Sequence, residues 1–201
     1  MSLYPNFLYS GPDVPWMNPE CIGINTLPPR AALHGYTNRS EALNARTLDS
    51  SWHLNLDGNW KFRLYQKPSD LEEGCIKPDW KDSEWDNIKV PGNWTMQGYD
   101  IPHYTNVQMP FAHQPPTVPE QNPTGVYRSC FNLPKGWKER RTVIHFGGVE
   151  STFFVFCNGS QVGFGKDSRT PVEFDLTPWI VSGLNHLTIV VIRWSDGSFL
   201  E

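Results

Sequence analysis

The segment that most constrains the fold of this chain is TFFVFCNGSQVGFG, at residues 152–165. Asn158 and Gly159 lie between a run of aromatic and β-branched residues and a second run that begins at Gln161. Asparagine and glycine both tolerate positive φ angles, which a type I′ turn requires at its two central residues. This segment therefore predicts a tight antiparallel β-hairpin that turns at Asn158 and Gly159.

Other segments show the patterns of further strands. In GNWKFRLY, the residues Trp60, Phe62 and Leu64 alternate with more polar ones, and this period of two is typical of a half-buried strand. Four more strand segments are GVYRSCFNL (125–133), TVIHFGGV (142–149), PVEFDLTPWI (171–180) and NHLTIVVIRW (185–194). The last is apolar nearly throughout, which favours a central strand. Many short strands with almost no helical periodicity predict an all-β fold, a β-sandwich of the jelly-roll type.

The chain divides into two regions of different composition. Residues 1–50 are rich in proline and have few sustained apolar periods, so they are predicted to form an extended arm that lies on another surface. The stretch NRSEALNARTLD (38–49) has room for a turn of helix. Residues 51–201 are predicted to form the jelly-roll domain, because the strand pattern begins there.

Charge and cysteine usage exclude several classes of protein. The net charge is −4 and no run of Lys or Arg is longer than two, so nucleic acid and anionic membranes are not expected as partners. No apolar stretch approaches the roughly 20 residues of a membrane span. The 4 cysteines lack a CxxC spacing and the 6 histidines lack ligand spacing, so a reduced, cytoplasmic location without a histidine metal site is expected.

A long segment between two of the predicted strands is a candidate functional loop. It runs over residues 85–125 and carries prolines too frequent for a strand and aromatic residues too frequent for disorder. Long ordered loops are usually functional. Five large side chains are expected to anchor it by burial: Trp94, Met96, Tyr99, Tyr104 and Phe111.

Several ordered motifs together resemble a known family. They are NPECIGINTLPPRA (18–31), VPGNWTMQGYDIPHYTNVQMPF (90–111), NPTGVYR (122–128), GVESTFFVFCNGSQVGFGKDSRTPVEFDLT (148–177) and RWSDGSFLE (193–201). They resemble the N-terminal sugar-binding domain of the β-galactosidases of glycoside hydrolase family 2. The resemblance implies a jelly-roll domain of a longer enzyme that cleaves terminal, non-reducing β-D-galactosyl residues with retention of configuration.

The same resemblance implies that this chain holds no catalytic residue. Members of the family take both catalytic glutamates from a (β/α)₈ barrel that follows immunoglobulin-like domains, so residues 1–201 alone are expected to be inactive. Glu173 and Asp175 lie two apart in a predicted strand and are interpreted as structural carboxylates. The expected partners are a β-galactoside, the barrel and immunoglobulin-like domains of the same protein, and further copies in a homo-oligomer.

One substrate-binding residue follows from the resemblance. Family members use the asparagine of YTNV to hydrogen-bond the galactosyl unit, and Asn106 has that position here. An amide offers both donors and an acceptor to sugar hydroxyls. The alternative is that Asn106 only satisfies loop backbone, as asparagine often does in turns. His103 nearby is interpreted as a structural residue.

The family resemblance also bears on metal binding. Some relatives hold a structural Mg²⁺ between the arm and this domain, and Asn18 and Asp196 match positions of that site. Pro15 stands where those relatives have an aspartate and Lys166 where they have a glutamine. We therefore expect no metal here and expect Lys166 to replace the cation by pairing with Asp196; the alternative is a surface ion pair that contributes only ~0–1 kcal/mol. A sodium ligand of the family lies in the segment after residue 201, so Mg²⁺ and Na⁺ are open only for a full-length parent.

Three other readings stay open at this stage. The first is another family 2 specificity, such as β-glucuronidase or β-mannosidase, against which YTNVQMPF and RWSDGS weigh. The second is an autonomous carbohydrate-binding module, which needs a solvent-facing aromatic platform. The third is a scaffolding or oligomer-interface domain without sugar contact, which the proline-rich arm favours.

Overall fold

The computed structural model describes residues 3–9, 14–31, 33–44, 50–105 and 108–200. Within them the strands are β1 (Gly23–Ile24), β2 (Gly58–Tyr65), β3 (Asp86–Val90), β4 (Thr124–Asn132), β5 (Val143–Phe146), β6 (Thr152–Cys157), β7 (Ser160–Gly165), β8 (Val172–Asp175) and β9 (Leu184–Ile192). The single α-helix in this part of the chain, α1, spans Arg39–Asn44 and agrees with the predicted helical turn. Short 3₁₀ turns occur at Asn6–Leu8, Pro15–Met17, Pro68–Asp70, Glu73–Ile76, Trp94–Gln97 and Asp196–Phe199.

The strands form two antiparallel sheets. The larger sheet has the order β1-β7-β6-β9-β4-β2-β3, and the smaller one pairs β5 with β8. The two sheets face each other across a shared core, so the predicted all-β sandwich is confirmed. In the described residues, no helix has the length and apolar character that a membrane crossing would need.

Strand β9 lies at the centre of the larger sheet, as its apolar sequence predicts. It pairs with β4 from Leu184 to Ile192 on one edge and with β6 on the other. Its residues from Leu187 to Ile192 are all buried. Because both edges and both faces of β9 are covered, the strand holds in place the backbone from which the following residues extend.

The predicted hairpin is present as β6 and β7. Asn158 has a φ angle of 51° and Gly159 a φ angle of 78°, as a turn of the primed type requires. The Asn158 side chain also donates to the carbonyl of Trp179 (2.9 Å) and accepts from the backbone N–H of His186 (2.9 Å). These bonds attach the turn to the start of β9 and to the segment that precedes it.

Apolar residues fill both faces of the larger sheet. Between the sheets, Phe62, Phe153 and Phe174 belong to one buried cluster. On the outer face, Phe154 and Phe164 belong to a second cluster that also contains residues of the arm. Both faces of the sheet are therefore shielded from water, which explains why β6 is buried at every position.

The described part of the N-terminal arm supplies much of the cover on the outer face. Leu8 is fully buried and Trp16 is 1% exposed, and both lie in the outer cluster. Farther along, β1 pairs with β7, and Thr26 forms a bridge to Phe174 in the smaller sheet. The arm thus passes from the edge of one sheet to the other. The domain boundary at residue 50 stays a prediction.

Two strands are not predicted from the sequence: the two-residue β1 in the arm and the edge strand β3. The segment Asp86–Val90 was assigned to the long loop, but it forms β3 and pairs with β2 at the edge of the sheet. Only Ile88 is fully buried among its residues, so the apolar pattern is too short to mark a strand. Its pairing with β2 is a long-range interaction that local sequence does not reveal.

Gly125 allows an aromatic contact at the start of β4, and its replacement by alanine tests that contact. A Cβ at this position would approach the Trp94 ring to 2.6 Å and the Phe62 ring to 2.8 Å. Overpacking of this kind typically costs about 1–3 kcal/mol. We expect Gly125→Ala to lower the free energy of unfolding by that amount in urea titrations. Gly147→Ala is the control, because no atom lies within 4 Å of its added Cβ; equal effects of both substitutions would contradict the close-packing argument.

Candidate functional site

Near the start of the loop between β3 and β4, one side chain makes the hydrogen bonds to β3 that a neighbouring strand would make. The Gln97 amide accepts from the backbone N–H of Lys89 (2.9 Å) and donates to the carbonyl of the same residue (3.0 Å). These are the two bonds that a neighbouring strand would make to the exposed edge of β3. The first turn of the loop is therefore attached to the sheet by paired hydrogen bonds.

Aromatic residues of this turn reach the core between the sheets. Trp94 is buried against Phe62, with ring centroids 6.2 Å apart, and Tyr99 meets the same ring edge-on at 4.7 Å. The expected anchoring by Trp94 and Tyr99 is thus present. The expectation was wrong for Met96 and Tyr104, which are 78% and 76% exposed, because the 3₁₀ turn and the extended chain after it direct these side chains outward.

An ion pair joins the middle of the loop to the end of β9. The Asp100 carboxylate accepts from the guanidinium of Arg193, the first residue after β9, and both side chains are largely buried. The Arg193 guanidinium also lies 4.8 Å above the ring of Trp194. Asp100 itself has a φ angle of 59°, a left-handed conformation that aspartate tolerates better than most residues.

Trp194 is the second attachment point of the loop. Its backbone is held by the buried Asn122 amide, which donates to the Trp194 carbonyl (2.8 Å) and accepts from its N–H (2.8 Å). The Trp194 ring contacts His103 (5.9 Å between centroids) and Phe111 (5.3 Å). Two residues on opposite sides of positions 106 and 107 therefore pack on one ring, and the structural interpretation of His103 agrees with this contact.

Asn106, the predicted sugar contact, lies outside the described residues. The structure therefore gives no geometry for its side chain, and its role stays a prediction. What the structure does show is the attachment of its neighbours: Asp100 and His103 before it and Phe111 after it all contact the segment that follows β9.

A cavity of about 1100 Å³ opens beside this loop. It is bordered by Pro102, His103 and Thr105 of the loop and by residues 193 and 194 after β9. Its other walls include residues 90–95, residues 144–151, residues 165–172 and the C-terminal turn with Gly197, Ser198 and Leu200. The cavity is large enough to bind a small molecule or to receive a loop of another domain.

The two carboxylates interpreted as structural from the sequence, Glu173 and Asp175, both form ion pairs. Glu173 binds Arg30 through two hydrogen bonds of 2.8 and 2.9 Å, and it also contacts His145 (3.1 Å). Asp175 pairs with Arg141 (2.8 Å). Burial acts to raise the pKa of Asp175, but hydrogen bonds from Thr177 and Arg141 outweigh it and lower that pKa.

A glycosidase acid needs a carboxyl group whose pKa is raised toward neutrality. The pKa of Glu41 is lowered to about 2, chiefly by the hydroxyl of Thr37, and the pKa of Asp167 is lowered by the hydroxyl of Thr170. Among the described residues, every carboxyl group with a resolved shift has its pKa lowered. None of these three carboxyl groups therefore has the raised pKa of a glycosidase acid.

Lys166 and Asp196 form a buried ion pair at the junction of arm and domain. The Lys166 Nζ lies 2.8 Å and 2.9 Å from the two carboxylate oxygens of Asp196. It also donates to the backbone carbonyls of Pro15 (3.2 Å) and Asn18 (2.9 Å). The ammonium group of Lys166 thus lies among four oxygen atoms from two parts of the chain.

The residues at this junction do not fit the Mg²⁺ that the resemblance implies. Proline at position 15 supplies no carboxylate, and the side-chain oxygen of Asn18 accepts instead from the N–H of Glu20 (3.0 Å). The lysine ammonium brings a positive charge to the point where a cation would bind. In addition, no group of three or more His, Cys, Asp or Glu side chains suited to a metal occurs among the described residues.

The sequence analysis missed the residues that attach the loop. Asp100 and Arg193 are 93 positions apart, and Asn122 and Trp194 are 72 apart. No periodicity relates residues at such distances. The only local signal was the high density of aromatic and proline residues in the loop.

Comparison with known proteins now gives the relationships of the chain. The family described as "Glycosyl hydrolases family 2, sugar binding domain" matches residues 54–201. A β-galactosidase of Psychromonas ingrahamii is 47% identical over 92% of this chain, and one of Vibrio cholerae is 46% identical over 92%. The chain covers 18% of the length of each of these relatives.

Solved structures share the fold at lower identity. A Bifidobacterium dentium β-glucuronidase, 24% identical, matches 68% of this chain and 19% of its own with a TM-score of 0.51. A Bacteroides uniformis β-glucuronidase, 23% identical, matches 70% of this chain and 14% of its own with a TM-score of 0.52. These likenesses show the sandwich fold alone. On the family match and the two close relatives, the chain belongs to the sugar-binding domain family of the family 2 glycosyl hydrolases.

Proposed function

We propose that this chain is the N-terminal domain of a β-galactosidase that hydrolyses terminal, non-reducing β-D-galactosyl residues. The domain contributes Asn106 to the galactose subsite, while the acid and the nucleophile of a retaining mechanism come from the catalytic barrel of the same protein. The identity of 47% to a β-galactosidase over 92% of the chain supports the choice of substrate. The 18% coverage of that relative supports a larger parent protein.

One structural observation supports the role of the loop most strongly. The segments before and after positions 106 and 107 both attach to residues 193 and 194, at the end of the central strand β9. A group that binds a transition state must be held in place before the reaction, because ordering it during the reaction costs free energy. A rigidly held loop beside a cavity can present one amide to a sugar bound by a neighbouring domain.

In this proposal, the domain contributes to catalysis by positioning the substrate. A retaining glycosidase places its two carboxyl groups about 5–5.5 Å apart, on rigid elements around the scissile bond. An amide can donate to one sugar hydroxyl and accept from another, and such bonds raise the rate when they strengthen in the transition state. Asn106 would therefore act by binding and orienting the galactosyl ring.

Replacement of Asn106 tests the sugar contact. In the full-length enzyme, Asn106→Ala should lower kcat/KM for an aryl β-galactoside. The lost transition-state stabilisation should be about 1–3 kcal/mol, the usual effect of losing one polar contact to a substrate. Asn132→Ala is the matched control, because this exposed asparagine lies at the opposite end of β4. If Asn106→Ala leaves kcat/KM unchanged, the domain is a scaffold. If the wild-type enzyme has a higher kcat/KM for an aryl β-glucuronide than for the galactoside, it has another family 2 specificity.

A double-mutant cycle tests whether the ion pair positions the loop. Asp100→Asn removes the negative charge that holds Arg193, so the loop should lose part of its fixed geometry. We expect Asp100→Asn to lower kcat/KM and to reduce the further loss caused by Asn106→Ala, because coupled residues are not additive. Full additivity of the two losses would show that the ion pair does not position Asn106.

Experiments on residues 1–201 alone separate the remaining readings. We expect no release of product from an aryl β-galactoside, because the proposal assigns both carboxyl groups of the retaining mechanism to the catalytic barrel. Calorimetric titration with galactose should show no saturable binding in the millimolar range or tighter. Saturable binding would indicate an autonomous carbohydrate-binding module, and turnover would contradict the division of the active site between domains.

A further inference from the structure

The Lys166 ammonium is placed where it joins two distant parts of the chain. Lys166 follows β7 directly, Asp196 begins the C-terminal 3₁₀ turn, and Pro15 and Asn18 belong to the arm. The two backbone carbonyls of the arm point at the same nitrogen as the Asp196 carboxylate. The arm is therefore attached at this point by hydrogen bonds to a charged group.

Burial makes this attachment strong. The exposed fraction of the side chain is 5% for Lys166 and 7% for Asp196, so neither charge can be solvated freely if its partner is lost. The Asp196 carboxylate also accepts from the N–H of Gly197 (2.8 Å), which holds it in place. Removing the ammonium would leave a buried carboxylate and two carbonyls without this donor.

The same attachment holds the turn that carries a buried aromatic residue. Trp16 lies between Pro15 and Asn18, is 1% exposed, and packs edge-on against Phe154 of the larger sheet (6.2 Å). If the two carbonyls separate from Lys166, the turn that carries Trp16 loses its polar attachment to the domain. Exposure of Trp16 thus reports whether the arm is docked.

The geometry of the four oxygens suits an ammonium group. They lie 2.8–3.2 Å from Nζ, which is the range of N–H···O hydrogen bonds. Mg²⁺ requires oxygen ligands at about 2.0–2.1 Å in octahedral arrangement. The oxygen shell is therefore too wide for Mg²⁺, and its centre is already occupied by a covalently attached cation.

We propose that Lys166 acts as a built-in cation, so that the N-terminal arm docks on this domain without any divalent metal ion. The oxygen atoms around its ammonium form a cation-binding group that the protein fills with its own side chain. Docking of the arm then does not respond to the concentration of Mg²⁺ or to a chelator, and it is independent of sugar binding.

Limited proteolysis of the protein that carries this chain tests the proposal. Because Trp16 is buried, chymotrypsin cleaves after it only when the arm opens, and mass spectrometry identifies the product. The wild-type cleavage rate after Trp16 should be the same in EDTA and in millimolar MgCl₂ at equal ionic strength. Slower wild-type cleavage in MgCl₂ would overturn the proposal, and this measurement needs no variant to fold.

Two substitutions sharpen the test. Lys166→Gln removes the charge and adds a carbonyl oxygen to the shell, so cleavage after Trp16 in EDTA should be at least about tenfold faster than in the wild type. MgCl₂ should slow it again, because five oxygens without an ammonium can then approach the ion. Lys166→Met removes the charge and adds no oxygen, so its cleavage should be fast with or without MgCl₂.

The control is a lysine that does not contact the arm. Lys61 donates to the single carbonyl of Trp85 (3.2 Å), and Lys61→Gln should keep the wild-type cleavage rate after Trp16. A wild-type rate in both Lys166 variants would overturn the role of Lys166 in docking. Fast cleavage of Lys166→Gln that MgCl₂ does not slow would overturn the claim that these oxygens form a cation-binding group.

Discussion

The pairing of β9 on both edges is the interaction on which the rest of the structure depends. Backbone hydrogen bonds to β4 and β6 and apolar packing on both faces fix the strand as far as Ile192. Residues 193–196 follow at once, so their positions are determined by the centre of the sheet and not by a loop. Both the long loop and the N-terminal arm attach to these few residues, which makes the end of β9 the junction of the domain.

The two attachments differ in their physical character. The loop is held by an ion pair, a paired amide contact and ring packing, and Arg193 and Trp194 of these contacts border the cavity. The arm is held by an ammonium group enclosed by oxygen atoms, together with the burial of Trp16 and Leu8. A buried charge must be compensated in full, so the second attachment tolerates less change than the first.

The comparison with solved structures shows why the fold does not select the sugar. β-Glucuronidases of Bifidobacterium dentium and Bacteroides uniformis share this sandwich at TM-scores of 0.51 and 0.52, although the chain's closer relatives carry the name β-galactosidase. A sandwich of this kind supplies a rigid frame, and specificity depends on a few side chains in the loops. Under the proposal above, Asn106 would be one such side chain, and the segments on both sides of it are attached to the frame.

Elements with a local cause are predictable from the amino-acid sequence. The turn at Asn158 and Gly159 needs residues that accept positive φ, and the alternation in β2 and the apolar run of β9 indicate which side chains are buried. Three features could be found only in the folded chain: the edge strand β3, the exposure of Met96 and Tyr104, and the ion pair of Asp100 with Arg193. These depend on residues far apart in the chain that meet because the sheet brings their strands together, and no local pattern records such a meeting.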